Sequence, residues 1–401
     1  MNDKKKSIII LITVLVLLLG GGLLAYYLTG QYLNVNNASD VTAEVNEASF
    51  DNSDEYNIEL SKSISITKAG VYYISGSLDN GSITIDTDGD VKLVLNSVSI
   101  TNSNGTAINV VNADVVYIEL NGDNTIKATV GEEENGAIYS TSDLVITGNG
   151  TLNITSNDAG IKSKDGILIE SSTLNITTDG DAIHSNDSIK INGGTITVDS
   201  EDDGIHANDV FEINDGTIKI SAAEGLEATY VKINGGTITI DATDDGINAA
   251  QKSDNYTPTI EINGGVITIE MAQGDTDGLD SNGNLYINGG TLTINCNSPF
   301  DYDLEAKYTG GKMIINGEET TTITNQFANS MGGGMMQGGM PGGNNQQMTP
   351  PDQNAQGDRQ RPDMNSTDEN RQMTPPDLND KNSTNKTDDT TASKKSSKSK
   401  N

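Results

Sequence analysis

A short unit recurs through the middle of this chain at a nearly fixed period, and each copy carries its own carboxylates. Successive steps of 22 residues separate Thr151, Thr173, Thr195 and Thr217, and a step of 20 residues leads to Thr237. A fixed period of this size is typical of a solenoid, in which each unit stacks only on its neighbours. No other feature of the sequence constrains the fold as strongly.

Each unit contains two or three short alternating strands that are separated by Gly, Asn and Asp. None of the copies shows a helical apolar period, which excludes leucine-rich and ankyrin-type repeats. We therefore predict an all-β parallel β-helix with about 22 residues per coil and coils stacked about 4.8 Å apart. Three inward-facing columns follow from the alignment: Ile191, Ile213, Ile233, Ile262, Ile287; Ile196, Ile218, Ile238, Ile267, Leu292; and Val198, Ile220, Ile240, Ile269, Ile294.

An Asn-Gly-Gly sequence marks one corner of most copies. Gly and Asn adopt positive φ at low cost, so the chain can turn sharply at this point. The asparagines of successive corners should stack as an amide ladder: Asn192, Asn214, Asn234, Asn263 and Asn288.

The composition suits a narrow solenoid better than an ordinary globular core. Aromatic residues make up only 4% of the chain and Trp is absent, so the interior must be filled by Ile, Val and Leu. The net charge is −33, which repels nucleic acid and anionic lipid surfaces and attracts divalent cations. Nucleic acid is therefore not an expected partner.

The first 30 residues read as a signal-anchor, in which Lys4, Lys5 and Lys6 precede an apolar run from Ile8 to Leu28. This run is long enough to span a bilayer, and the lysines should stay on the cytoplasmic side. The expected location is the cell surface, with a single membrane span, the N-terminus inside and the domain outside. Cleavage of the segment would instead give a secreted protein.

Three further segments follow from the changes in composition along the chain. Residues 31–54 are polar and read as a linker, and residues 55–326 form the predicted β-helix domain. Residues 327–401 are rich in Gly, Met, Gln and Pro and end in a Lys/Ser run. With so few apolar residues to bury, this tail is expected to be disordered.

Acidic residues recur at a second corner of the repeat. In stacked coils their carboxylates would lie close together and repel by about 1 kcal/mol per pair in water, and by several times more at a protein surface. Calcium takes six to eight oxygen ligands with flexible geometry and would remove this repulsion. A solvated acidic face without metal is the alternative. The candidate ligands are Asp181, Asp202, Asp203, Glu224, Asp244, Asp245, Asp277 and Asp280.

His184 and His206 are the only histidines, and they stand 22 residues apart. They should therefore lie one above the other on neighbouring coils. Two stacked imidazoles could bind a transition metal, although two ligands alone make a weak site. Packing in a surface ladder is the default interpretation.

The joint motif of Asp277–Gly283 with the closing Phe300–Asp303 resembles a bacterial extracellular carbohydrate-binding family of clostridial type, typified by a calcium-dependent pectin- and cellulose-binding protein. The resemblance covers roughly residues 55 to 325. It implies a right-handed parallel β-helix, bound Ca²⁺ and affinity for an acidic polysaccharide such as polygalacturonate. It also adds Asp301 and Asp303 to the expected metal ligands.

We expect a non-catalytic binding protein rather than an enzyme. A polysaccharide lyase of this fold usually needs a strong base, commonly arginine, and all arginines lie in the tail at Arg359, Arg361 and Arg371. Asp202 and Asp203 resemble a hydrolase pair, but repetition of such a pair argues for structure or metal binding. A lyase or hydrolase and a surface adhesin or spacer stay open as alternatives.

Overall fold

The computed structural model describes residues 41–51, 53–131, 136–272 and 276–325, and these fall in one compact unit. Within these ranges the chain forms 32 strands and no helix. The strands before the regular repeats are β1 (Glu55–Leu60), β2 (Ile64–Ile66), β3 (Gly70–Leu78), β4 (Ile83–Asp86), β5 (Val91–Asn96), β6 (Ser99–Asn102), β7 (Ile108–Asn112), β8 (Val115–Asn121), β9 (Asp123–Ala128), β10 (Ile138–Ser140) and β11 (Asp143–Gly148).

The regular repeats contribute β12 (Thr151–Ser156), β13 (Ile161–Ser163), β14 (Ile167–Ile169), β15 (Thr173–Thr178), β16 (Ile183–Ser185), β17 (Ile189–Ile191), β18 (Thr195–Ser200), β19 (Ile205–Ile213), β20 (Thr217–Ala222), β21 (Leu226–Ile233) and β22 (Thr237–Ala242). The last strands are β23 (Ile247–Ala249), β24 (Thr259–Ile262), β25 (Val266–Met271), β26 (Asp277–Ser281), β27 (Asn284–Ile287), β28 (Thr291–Asn295), β29 (Ser298–Tyr302), β30 (Ala306–Tyr308), β31 (Lys312–Ile315) and β32 (Glu318–Thr320).

These strands form three parallel ladders that run the length of the molecule. The first wall contains β1, β3, β5, β8, β11, β14, β17, β19, β21, β24, β27 and β30. The second contains β2, β4, β7, β10, β13, β16, the first halves of β19 and β21, β23, β26 and β29. The third runs from the end of β3 through β6, β9, β12, β15, β18, β20, β22, β25, β28 and β31, and the antiparallel β32 closes it.

The chain makes about 11 turns of about 22 residues each, which confirms the predicted parallel β-solenoid. The right-handed sense of the coil stays a prediction. Ile213 pairs in register with Ile191 and Ile233, as the first predicted column requires. All three predicted columns are buried, and burial of an isoleucine side chain contributes about 1.5–3 kcal/mol.

The predicted amide ladder is confirmed at the Asn-Gly-Gly corner. Each Nδ2 donates to the Oδ1 one coil earlier, at 2.9 Å from Asn214 to Asn192, 2.9 Å from Asn234 to Asn214, 3.0 Å from Asn263 to Asn234 and 2.9 Å from Asn288 to Asn263. The chain turns here because the second glycine takes a positive φ, as in Gly236 at +87°.

Residues 41–51, which we call the N-terminal strap, lie against the first wall. Val41 and Ala43 are buried against Val210 and Tyr230. The Ala43 amide donates to Oε2 of Glu212 at 3.1 Å, so side-chain packing and hydrogen bonds both hold the strap. This part of the segment that the sequence assigns to a linker is therefore packed on the solenoid.

The remaining segment predictions fall on residues that are not described. Both the predicted signal-anchor at 1–30 and the predicted disordered tail at 327–401 lie outside the described residues. Across residues 41–325, apart from the three short undescribed gaps, there is no helix that could cross a bilayer.

Candidate functional site

The acids of the second corner are held in register by the backbone of the second wall. The Ala182 amide donates to the carbonyl of Asp203 at 3.0 Å, and the Gly204 amide donates to that of Glu224 at 2.8 Å. Equivalent hydrogen bonds reach the carbonyls of Asp245 and Asp277 from the preceding coils. The acidic strip, as we call this column, therefore follows directly from the ladder that stacks the coils.

One end of the strip, the histidine end, combines carboxylates with both imidazoles. The rings of His184 and His206 lie 4.5 Å apart between centroids, as their spacing predicts. Nδ1 of His184 lies 2.6 Å from Oδ2 of Asp181. Nδ1 of His206 lies 3.0 Å from Oδ2 of Asp203 and 3.0 Å from Oε2 of Glu227. Five groups from three successive coils thus converge.

The acids of the histidine end are held by further partners. Oε1 of Glu227 accepts a hydrogen bond from Nζ of Lys252 at 2.7 Å and one from Nδ2 of Asn248 at 3.3 Å. Asn248 also donates to Oε2 of Glu224 at 3.0 Å. Lys252 lies in the loop between β23 and β24, so a corner insertion supplies the cation that contacts this end.

The pKa values along the strip depend on local neighbours. Burial, followed by repulsion from Asp181 and Glu224, raises the pKa of Asp203 to about 7. Burial also raises the pKa values of Glu224 and Glu227. Burial alone would also raise the pKa of Asp181. The hydrogen bond and the charge of His184 outweigh burial, so the pKa of Asp181 is lowered.

The other end of the strip, the acidic end, consists of Asp245, Asp277, Asp280, Asp301 and Asp303. Burial, followed by repulsion from Asp301, Asp277 and Asp303, raises the pKa of Asp280 to about 7. Burial together with the charge of Asp280 also raises the pKa of Asp245 to about 7. Every charged neighbour that shifts the pKa of Asp280 is itself acidic, so negative charge accumulates here.

The structure brings the acids predicted from the sequence onto one surface, but the distances between their carboxylate oxygens differ along it. Potential ligand atoms of Asp181, Asp202 and Asp203 lie within 4.8 Å of one another. Glu224 and Asp244 lie between the histidine end and the acidic end, and their charges help to raise the pKa of Asp245. Among the described residues, no group of three at the acidic end is equally close.

Two contributors were not among the predicted ligands. Glu227 shares the column of His206 and Asn248, so its position in the repeat was a usable signal. The contact of Lys252 could not be predicted, because it depends on how the β23–β24 loop folds back.

A second column of acids lies near the strap and was also missed. Asp165, Asp187 and Asp209 follow one another at 22-residue spacing, and the Asp209 amide donates to the carbonyl of Asp187 at 2.9 Å. Burial, followed by the charge of Asp209, raises the pKa of Asp187. The same periodic signal that identified the acidic strip could have found this column.

The family model of carbohydrate-binding domain-containing proteins matches residues 61–296 and 202–331 of this chain. Together the two matches span more than half of the 401 residues. The chain belongs to this family. The resemblance to a clostridial carbohydrate-binding family is thereby confirmed at the level of the family.

A curated member of the family from Acetivibrio thermocellus, also named a carbohydrate-binding domain-containing protein, is 31% identical over 134 residues. The match covers 29% of this chain and 46% of the relative, so the chain spans about half the length of that protein. A solved structure, described as the polysaccharide lyase-like protein from C. thermocellum in a gadolinium derivative, is 26% identical. It covers 63% of this chain and 87% of its own, with a TM-score of 0.38.

Proposed function

We propose that this protein binds acidic polysaccharides of the polygalacturonate type through calcium held along the acidic strip, and that it is not an enzyme. Membership of a carbohydrate-binding family supports the glycan ligand. The single observation that carries the calcium proposal is the stacking of half-buried carboxylates from successive coils, where burial, together with repulsion from neighbouring acids, raises the pKa values of Asp245 and Asp280 to about 7. Cellulose is a second glycan for the same test.

The chemical type of the donor atoms at the acidic end suits calcium. Its five aspartates offer only carboxylate oxygens from three coils, and Oδ1 of Asp301 is held by Nδ2 of Asn325 at 3.0 Å. Oxygen-only donors with flexible geometry are what Ca²⁺ prefers. When bound, calcium would supply the positive charge through which a uronate carboxylate can be held at an acidic surface.

The arrangement supports binding rather than catalysis. The acid pair Asp202–Asp203 has a counterpart at Asp244–Asp245 two coils later, whereas a catalytic pair needs to occur once. All arginines lie at residues 359, 361 and 371, far from the strip in sequence. A lyase, a hydrolase and a structural adhesin are the alternatives, and the following experiments distinguish them from a binding protein.

Affinity gel electrophoresis of the full chain in polygalacturonate tests the proposal. We expect retardation in calcium, free migration in chelator and recovery when calcium is restored. Asp280→Asn should weaken the calcium-dependent retardation. Asp241→Asn, which removes the same charge from an exposed position on β22, should behave as wild type. Mobility that calcium does not change in any acidic glycan would support the adhesin instead.

Catalysis is tested separately. The full chain should release neither unsaturated uronate nor new reducing ends from polygalacturonate in calcium. Sustained product formation in proportion to protein concentration would contradict the non-catalytic proposal and identify a lyase or a hydrolase, respectively.

The proposed location is the cell surface, with a single membrane span at residues 1–30. It depends on the three lysines and the apolar run from Ile8 to Leu28. N-terminal sequencing of the mature protein should find the segment intact in the membrane fraction. A start beyond residue 30 in the medium would show secretion.

A further inference from the structure

The histidine end has a donor set that differs from that of the acidic end. Three carboxylate oxygens surround one imidazole nitrogen, Nδ1 of His206, at 3.0 Å for Asp203, 3.0 Å for Glu227 and 3.8 Å for Asp181. Ligand atoms of Asp203, His206 and Glu227 all lie within 4.8 Å of one another. Tetrahedral ligands about 2.0–2.1 Å from a zinc ion lie about 3.3 Å apart, so these separations suit one ion.

Ion pairing alone does not explain this arrangement. A single N–H at Nδ1 of His206 cannot satisfy three carboxylates. Glu227 also contacts Lys252 and Asp181 also contacts His184, whereas His206 is the only cationic side chain within ion-pair distance of Asp203 among the described residues. An ion bound at Nδ1 would place the ring proton on Nε2 of His206, a buried atom that has no hydrogen-bond partner among the described residues, so Nε2 does not distinguish a charged ring from a metal-bound one. The feature that points to a metal ion is the convergence of three carboxylate oxygens on Nδ1.

The ligand side chains are also buried and held in place. Glu227 is 3% exposed and Asp203 is 9% exposed, so neither carboxylate can turn freely into solvent. The other oxygen of Glu227 is fixed by Lys252, and Asp181 is fixed by Nδ1 of His184. Partners of this kind orient metal ligands in known sites, and their loss typically weakens binding about 10–100-fold.

We propose that Asp203, His206 and Glu227 form a binding site for a transition-metal ion of the zinc class, with a water molecule as the fourth ligand. An imidazole nitrogen among carboxylates favours Zn²⁺ and similar ions over calcium, which prefers oxygen. The ligands come from two successive coils, so the ion would cross-link them. This site is separate from the calcium proposed at the acidic end and does not depend on glycan binding.

The test is a titration of the calcium-loaded full chain with Co²⁺, followed by displacement with Zn²⁺. We expect one equivalent of cobalt to give the visible absorption of a four-coordinate nitrogen–oxygen site, and zinc to abolish it. His206→Ala and the near-isosteric Glu227→Gln should each weaken cobalt and zinc binding by more than about tenfold. Zinc should raise the melting temperature of the wild type and not that of these variants.

Two controls separate this site from the rest of the strip. Asp280→Asn should keep the cobalt spectrum while it loses calcium-dependent glycan retardation, and Asp241→Asn should keep both. Melting curves without metal show whether the His206→Ala variant is folded. If that variant is unfolded, the metal titration of Glu227→Gln tests the proposal. Zinc affinity that is unchanged in a folded His206→Ala or Glu227→Gln variant would overturn the proposal, as would the absence of saturable binding by the wild type.

Discussion

Residues at equivalent positions in the repeat can have different pKa values, because the side chains around them differ. Asp181 and Asp203 stand one coil apart in the same column, yet the pKa of Asp181 is lowered and that of Asp203 is raised to about 7. The hydrogen bond from His184 and its charge favour the ionised form of Asp181 over the effect of burial. At Asp203, burial and the charges of Asp181 and Glu224 act in the same direction and raise the pKa.

The substitution Asp280→Asn should stabilise the metal-free protein. It removes a charge that Asp301, Asp277 and Asp303 repel, and it keeps the side-chain shape. Because solvent screens part of this repulsion, we expect a gain on the order of 1 kcal/mol in chelator. Urea denaturation with and without calcium measures the effect, which should shrink or reverse in calcium. A loss of stability in chelator would contradict it.

At the scale of elements, the coils are joined by repeating pairs of side chains as well as by backbone hydrogen bonds. The amide ladder uses both ends of each asparagine, so every interior member is donor and acceptor at once. The two histidines and the acids of the strip are stacked in the same register as the asparagines. This stacking brings imidazole rings or carboxylates together instead of amides. A single stacking rule thus stabilises one corner and creates repulsion at another.

The substitution Asn234→Ala should interrupt the ladder. It leaves Nδ2 of Asn263 without its acceptor and removes the donor to Oδ1 of Asn214. We expect a loss of about 1–3 kcal/mol in the free energy of unfolding. Asn282→Ala, at an exposed position before β27, serves as the control and should change stability by less than about 0.5 kcal/mol. Equal losses in both variants would show that the ladder is not the cause.

For the whole molecule, the solenoid separates apolar packing from charge. A continuous column of Ile, Leu and Val fills the interior along the described coils, while acidic side chains line one corner. With a net charge of −33, the protein should resist self-association and should depend on cations for its full stability. Coils contact only their neighbours, so ions that bridge coils act on the links between them.

Without metal, the protein should become more stable as the pH falls from 8 towards 5. The folded-state pKa values of Asp203, Asp245 and Asp280 are about 7, above those of unfolded carboxyls, so the folded state takes up protons first. Asp181 acts in the opposite sense, but only below its ordinary pKa of 3.8, outside this range.

Thermal melting in chelator at several pH values measures this dependence. We expect the melting temperature to rise by several degrees between pH 8 and pH 5. Saturating calcium should raise stability most at pH 8 and flatten the profile, because protons and calcium compete for the same oxygens. A metal-free melting temperature that falls over this range would contradict the assignment.

The sequence by itself determined the stacked fold, its interior and the alignment of its acids. A strict period with alternating Ile, Thr and Asn leaves a chain few ways to bury its apolar residues, so the registers of Ile213 and Asn234 followed from spacing alone. Periodicity also placed His184 over His206, because residues one coil apart must meet.

Only the tertiary structure decided which of the aligned groups touch and what they do to one another. The convergence of Asp203 and Glu227 on one nitrogen of His206, and the reach of Lys252 from its loop, depend on side-chain directions and on where an irregular insertion folds. Spacing along the repeat determines the coil and the column of the solenoid in which a residue lies. The distances between side-chain atoms, and so the charge that each carboxylate carries, are set by packing across the coils.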